Sequence, residues 1–274
     1  MPALVVEGLA KRYGAVRAVR EVSFSVEHGE IFALLGPNGA GKTTTLEIIE
    51  GFRVKDAGVV EVLGMDPRDP ALRARIGLVL QDIAVEPYLT VRETIARNAG
   101  YYPAPRDVDE VIDLVDLRAQ ARRKVKALSG GQKRRLDLAL GVIGDPSLLF
   151  LDEPTTGFDP NARRGAWELI RNLRDSGTTI VLTTHYMEEA QELADRVAVM
   201  SGGRIVASGT PATLGGRDSA KTRIRYTSPE GPVVLETTDP TGTLRELIWS
   251  GVVLDGLTVD RPSLEDVYLE LTRS

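Results

Sequence analysis

A glycine-rich loop between an apolar run and a helix-like segment is the feature that most constrains this sequence. Residues 31–35 are continuously apolar, residues 36–43 fit the pattern G-x-x-x-x-G-K-T, and residues 43–50 have helical character. Glycines let the backbone curl so that successive N–H groups face a bound phosphate at the positive end of the helix. In such a loop Lys42 reaches the outer phosphates, and Thr43 is a ligand for Mg²⁺.

The loop has two interpretations. One is an ordinary glycine-rich turn from strand to helix. The other is a phosphate site, which the apolar run before it and the helical segment after it favour because they supply the required context. The residues predicted to hold the phosphates are Gly36, Pro37, Asn38, Gly39, Ala40, Gly41, Lys42, Thr43 and Thr44.

Two carboxylates follow a second apolar run. Residues 148–151 are apolar, and Asp152 and Glu153 come directly after them, at the end of a predicted buried strand. In that place Asp152 could hold a metal ion, and Glu153 could polarise an attacking water molecule. The alternative is a strand that ends in solvated acids, and the presence of the phosphate loop favours the functional interpretation.

A further glycine-containing segment precedes an amphipathic helix. Ser129, Gly130, Gly131 and Gln132 stand just before residues 133–140, which have a helical pattern. Glycines, a hydroxyl and free N–H groups at a helix start suit a γ-phosphate. Read alone, the segment also fits an ordinary serine N-cap.

These motifs together resemble those of the ABC (ATP-binding cassette) ATPases. Residues 128–132 look like the signature sequence of that family, and residues 149–154 and 156–159 match its next motifs in the same order. Phe158 stands where the family commonly has leucine, whereas Asp159 is present. The resemblance covers about residues 4–209, and it implies ATP hydrolysis with Mg²⁺.

The resemblance also implies roles for three isolated residues. It makes Tyr13 the aromatic ring that stacks on adenine, Gln81 a metal and water contact, and His185 the γ-phosphate switch. Taken singly, these would be a packing aromatic, a polar group at a strand end and a surface histidine. Their order along the chain favours the family roles. His28 has no such support and is predicted to face solvent.

The family further implies partners. Its ATPases form head-to-tail dimers in which the signature of one subunit covers the ATP of the other. Residues 49–52, 89–93 and 263–272 resemble bacterial ABC-2-type exporters, including drug-resistance ATPases. That resemblance implies a separately encoded membrane permease and export of a drug-like compound, a lipid or a polysaccharide.

Composition limits the cellular setting. The net charge is −5, which argues against a broad basic surface for nucleic acid, and cysteine is absent, which fits a reducing compartment. No apolar run reaches the length of a membrane helix. We therefore expect a cytoplasmic protein that is peripheral on the membrane through its permease. The alternative is a soluble ABC-type ATPase acting on DNA or the ribosome, which a single cassette without long heptad repeats disfavours.

Element patterns complete the predicted fold. We expect an α/β fold with a P-loop NTPase core, an antiparallel β subdomain near the start and an inserted helical subdomain at about residues 84–145. The ATPase domain would span residues 1–215, and a small α+β domain would span residues 216–274. For this second domain a structural or dimer-stabilising role is favoured over ligand binding, because it carries no phosphate or metal pattern.

Overall fold

In the computed structural model, residues 1–79, 85–216, 221–260 and 263–272 are described. Their strands are β1 Leu4–Tyr13, β2 Val16–Val26, β3 Ile31–Leu35, β4 Ala57–Val62, β5 Ile76–Val79, β6 Leu148–Asp152, β7 Thr179–Thr184, β8 Arg196–Ser201, β9 Arg204–Gly209, β10 Thr222–Ser228, β11 Gly231–Thr237 and β12 Asp255–Asp260. Their α-helices are α1 Lys42–Ile49, α2 Val91–Ala99, α3 Val108–Leu114, α4 Gly130–Val142, α5 Pro160–Asp175, α6 Met187–Leu193, α7 Pro240–Trp249 and α8 Leu264–Thr272.

The central sheet places three functional segments side by side. Its strand order is β5-β6-β7-β3-β8-β9, and every neighbouring pair is parallel except β8 and β9. The phosphate loop follows β3, Asp152 ends β6, and His185 follows β7. Since β6, β7 and β3 are neighbours, their carboxyl ends bring these residues to one edge of the sheet.

Both faces of this sheet are covered, which explains why its strands are apolar throughout. Along β3, Ile31, Ala33 and Leu35 belong to the core on one face, whereas Phe32 and Leu34 belong to the core on the other. Strands of a parallel sheet that are buried on both sides have this continuous apolar sequence. The predicted α/β core is confirmed, and five of its six strands are parallel.

Two antiparallel sheets and a helical region surround the core. Sheet β2-β1-β4 lies on one face, and helices α2, α3 and α4 contact one another on the other. The third sheet, β11-β10-β12, is antiparallel and belongs to the C-terminal region. The predicted mixture of antiparallel β, helical and α+β parts is therefore confirmed, and His28 is exposed as expected. No helix within the described ranges is long and apolar enough to cross a membrane.

The C-terminal helix α8 returns to the ATPase core. Ser263 and Asp266 cap its start reciprocally, with N···O distances of 2.8 and 3.0 Å. Leu264 is only 1% exposed and joins the same apolar core as Leu214, while Val267 contacts Gly215. Helix α8 therefore stabilises the region that precedes residue 216.

Replacing Leu264 by Ala is expected to lower the free energy of unfolding by about 2–4 kcal/mol, because it leaves a cavity in that core. The matched control is Leu269→Ala on the same helix, where the side chain is 43% exposed. That change should cost about 0.5 kcal/mol or less. Urea unfolding of both variants measures the difference, and equal losses would show that α8 is not docked.

Candidate functional site

The phosphate loop has a left-handed glycine at its end and an open helix start. Gly41 adopts φ +102° at the N-cap of α1, and no side chain caps this helix or places an acidic group in its first turn. The first N–H groups of a helix have no partner within the helix. They are therefore available to an anion, and the exposed Thr43 lies in the first turn of this helix.

Lys42 is held in place by the loop itself. Lys42 is 7% exposed, and its ammonium donates to the carbonyl oxygens of Gly36 at 2.7 Å and Pro37 at 3.2 Å. Burial lowers the pKa of the Lys42 ammonium, while the carboxylates of Glu153 and Asp152 act in the opposite direction. The lysine charge thus lies within electrostatic reach of both predicted carboxylates.

The two carboxylates differ in their surroundings. Asp152 accepts a hydrogen bond from the Thr183 hydroxyl on the neighbouring strand. The Glu153 side chain is 12% exposed, and its Oε1 lies 3.1 Å from Nδ1 of His185. Its Oε2 accepts a hydrogen bond from the Thr156 hydroxyl at 3.2 Å. Glu153 is therefore oriented by two side chains that follow it in sequence, and it can accept a proton from a water molecule.

The signature segment forms the start of α4 and is capped by its own residues. Ser129 and Gln132 form a reciprocal capping box at the start of α4, with N···O distances of 3.1 and 3.3 Å. The serine N-cap that the sequence also allowed is therefore present. A Cβ atom added at Gly130 or Gly131 would meet nothing within 4 Å. Among the described residues, the segment makes no hydrogen bond to the phosphate loop.

Two predicted contacts lie at the margin of the site. Tyr13 is 40% exposed at the end of β1, with the cationic groups of Lys11 and Arg53 each 5.6 Å from the centroid of its ring. It is accessible for stacking, as its predicted role requires. Gln81, predicted to contact metal and water, falls outside the described residues.

The donors at this edge suit a magnesium ion only together with a phosphate ligand. Thr43 and Asp152 offer hard oxygen atoms of the kind that Mg²⁺ prefers. Across residues 1–79, 85–216, 221–260 and 263–272, no cluster of three His, Asp or Glu side chains could hold a metal by itself. Mg²⁺ is commonly bound by one or two protein groups plus substrate phosphates, and the residues present fit that pattern.

Three charged residues near the site were not identified from the sequence. Arg134 is buried beside the backbone that carries Asp152 and Glu153. Glu189 is fully buried and accepts hydrogen bonds from Thr155 at 2.7 Å and Trp167 at 3.3 Å, and burial raises its pKa. Glu50 is also buried, with one carboxyl oxygen unpaired. Helical periodicity gives a signal for Glu50, since it lies four residues after the buried Leu46.

Burial raises the pKa of the Glu50 carboxyl to about 8, with smaller contributions from Asp152 and Glu47. The folded state therefore holds a proton that the unfolded chain releases near pH 4.5. The stability that this proton contributes is complete below pH 4.5 and is lost as the pH rises to 8. Glu50→Gln removes the titration, so its stability relative to the unchanged chain should increase with pH.

That relative gain in the free energy of unfolding should reach about 4 kcal/mol between pH 5 and pH 9. Urea unfolding without nucleotide or Mg²⁺ across this range measures it. The control, Glu61→Gln, alters an exposed carboxylate on β4 and should follow the unchanged chain at every pH. A constant difference between Glu50→Gln and the unchanged chain would contradict a protonated Glu50.

Comparison with known proteins gives relatives over most of the chain. The sequence model of a family described as "ABC transporter" matches residues 19–156. The Nod factor export ATP-binding protein I of Ralstonia nicotianae is 45% identical, over 78% of this chain and 68% of that protein. The daunorubicin resistance ATP-binding protein DrrA3 of Streptomyces coeruleorubidus is 37% identical, over 98% of this chain and 96% of that protein.

Solved structures have the same fold. A structure described as an ATP binding subunit of an ABC transporter superposes with a TM-score of 0.72. It covers 98% of this chain and 99% of that chain at 23% identity, so the likeness concerns the fold. The family resemblance predicted from the motifs is confirmed by the family match and by the two sequence relatives.

Proposed function

We propose that this chain, which belongs to the ABC transporter family and is an ATP-hydrolysing transporter subunit, powers export through a separately encoded membrane permease. The observation that supports the role of this chain in ATP hydrolysis is the position of Glu153. It stands at the carboxyl end of β6, between Thr156 and His185, at the edge of the sheet where the phosphate loop begins.

In the proposed reaction the phosphate loop binds the phosphates of ATP, and Lys42 places its charge beside the outer ones. Glu153 accepts a proton from the attacking water, and His185 holds Glu153 and contacts the γ-phosphate. Tyr13 stacks on the adenine. The proposed nucleotide contacts in the loop are Gly36, Pro37, Asn38, Gly39, Ala40, Gly41, Lys42, Thr43 and Thr44.

The proposed metal site uses Thr43, Asp152 and Gln81. A bound Mg²⁺ would neutralise negative charge on the phosphates. Asp152 is kept in place for this by its hydrogen bond from Thr183. The chain itself orients the oxygen donors and excludes water around Lys42 by burying it.

We propose a head-to-tail dimer in which the signature segment, residues 129–132, binds a phosphate. Ser129, Gly130, Gly131 and Gln132 form a capped, glycine-lined helix start that, within the described part of the chain, makes no hydrogen bond to the chain's own phosphate loop. A second copy would place this segment over the γ-phosphate of its partner's ATP. ATP would then join the two copies, and hydrolysis would release them.

The transport role rests on the relatives. One is named for Nod factor export and another for daunorubicin resistance, and both are named as ATP-binding proteins. For this chain we propose a drug-like, lipid or polysaccharide cargo that the permease selects. The chain would then be cytoplasmic and attached to the membrane through the permease. Residues 1–215 are proposed as the ATPase domain and residues 216–274 as an accessory domain.

The transport role can be tested by purification from native membranes. The tagged full-length chain is expressed in its source cells. The membranes are solubilised in mild detergent, and the chain is recovered by affinity chromatography. We expect an integral membrane protein to co-purify and to raise ATP turnover when it is reconstituted with the chain in vesicles. Recovery with ribosomes or DNA, and no membrane protein, would contradict the transport role and support the soluble alternative.

A further inference from the structure

A buried arginine connects the signature helix to the backbone around Glu153. Arg134, on α4, is 8% exposed. Its Nη2 donates to the carbonyl oxygens of Asp152 at 2.8 Å and Glu153 at 3.1 Å, and its Nε donates to that of Pro154 at 3.1 Å. One side chain from the signature helix therefore holds three consecutive carbonyl groups.

The backbone that Arg134 holds has an unusual conformation. Glu153 has φ +47°, in the left-handed region that non-glycine residues rarely adopt. Such a conformation persists only where the surroundings enforce it, and it is common where a side chain must be aimed at a reacting group. The planar guanidinium suits this task, because it offers several donors in one fixed geometry, which a lysine ammonium does not.

We infer that Arg134 is a positioning residue that aims Glu153 and fixes its position to that of the signature helix in the same chain. This inference rests on the proposed function. In the proposed dimer, Glu153 acts on the ATP of its own chain, whereas the signature segment covers the ATP of the partner. Arg134 therefore links the two ATP sites through one chain. When the signature segment binds the ATP of the partner, it affects the position of Glu153 at the chain's own ATP.

Arg134→Gln keeps one amide donor but removes the fork. We expect ATP turnover of the full-length chain to fall about tenfold or more, because small misplacement of a catalytic group is costly. The KM for ATP should stay within about twofold, and Arg134→Lys should retain intermediate turnover. The matched control is Lys133→Gln, which removes the same charge from the exposed neighbouring position and should leave turnover unchanged.

Mixed dimers then show whether Arg134 supports hydrolysis of the ATP bound to its own chain or of the ATP bound to the partner. A small amount of active chain is combined with a large excess of Glu153→Gln chain, and one round of ATP hydrolysis is measured per active chain. In the first mixture the active chain carries Arg134→Gln. In the second mixture the active chain is unchanged, and the excess chain carries both Glu153→Gln and Arg134→Gln.

We expect the loss in the first mixture only, because Arg134 serves Glu153 of its own chain. A loss in the second mixture would mean that Arg134 supports the signature segment instead, and unchanged hydrolysis in both would also overturn the inference. Folding of each variant is checked by its unfolding midpoint. If unchanged chain with excess Glu153→Gln chain does not hydrolyse its ATP once, the proposed arrangement of the sites fails rather than the inference about Arg134.

Discussion

Replacing Glu153 by Gln is expected to lower ATP turnover by about 10³-fold while ATP affinity changes by less than about twofold. The amide preserves the size of the side chain and can still bond to Thr156, but it cannot accept a proton from water. ATP binding depends mainly on the phosphate loop, which this change leaves intact. Hydrolysis in a single turnover and ATP binding by equilibrium dialysis provide the two measurements.

The control for this change is Glu168→Gln. Glu168 is exposed on α5, so the same chemical change there removes a carboxylate outside the site. Its turnover should equal that of the unchanged chain. Turnover in Glu153→Gln close to the unchanged value would rule out Glu153 as the proton acceptor, whereas loss of ATP binding would show that it supports the loop instead.

Replacing Gly41 by Ala is expected to weaken ATP binding at least about 100-fold, which corresponds to about 2.7 kcal/mol. Gly41 has φ +102°, and an added Cβ would lie 2.4 Å from the carbonyl oxygen of Ala18. That oxygen belongs to β2 and cannot move aside as a flexible side chain could. The loop must therefore shift, and the N–H groups at the start of α1 lose their alignment on the phosphates.

Gly29→Ala is the matched control for the backbone conformation alone. Gly29 has φ +73°, but an added Cβ would meet nothing within 4 Å. It should cost about 1 kcal/mol of stability and leave ATP binding unchanged. Calorimetric titration of both variants with ATP separates the effect of the close Cβ contact from the effect of the left-handed backbone conformation. Equal effects at the two positions would argue against the close approach at Gly41.

The sequence predicted the motifs at the site because each has a strong local pattern. The phosphate loop, Asp152 and Glu153 follow apolar runs, and those runs form β3 and β6. The order of strands was not predictable, because the sequence does not show that β3 lies between β7 and β8. That order is set by packing between segments far apart in the chain.

Arg134 and β12 show why other features were missed. Arg134 lies four residues before the buried Leu138, so helical periodicity points it inward, but its carbonyl partners come from a different segment. Strand β12 is short, all six of its residues are exposed, and Asp255 and Asp260 stand at its ends. Charged ends and low burial give a strand pattern little contrast with a loop.

The docking of α8 means that the small C-terminal sheet is attached at both of its ends. Leu214 precedes the sheet and Leu264 follows it, and both are buried in one apolar core. The sheet is therefore arranged as an insertion within a folded unit rather than as a free tail. A truncation at residue 216 would expose the ATPase core, so a deletion that probes the sheet alone must retain α8.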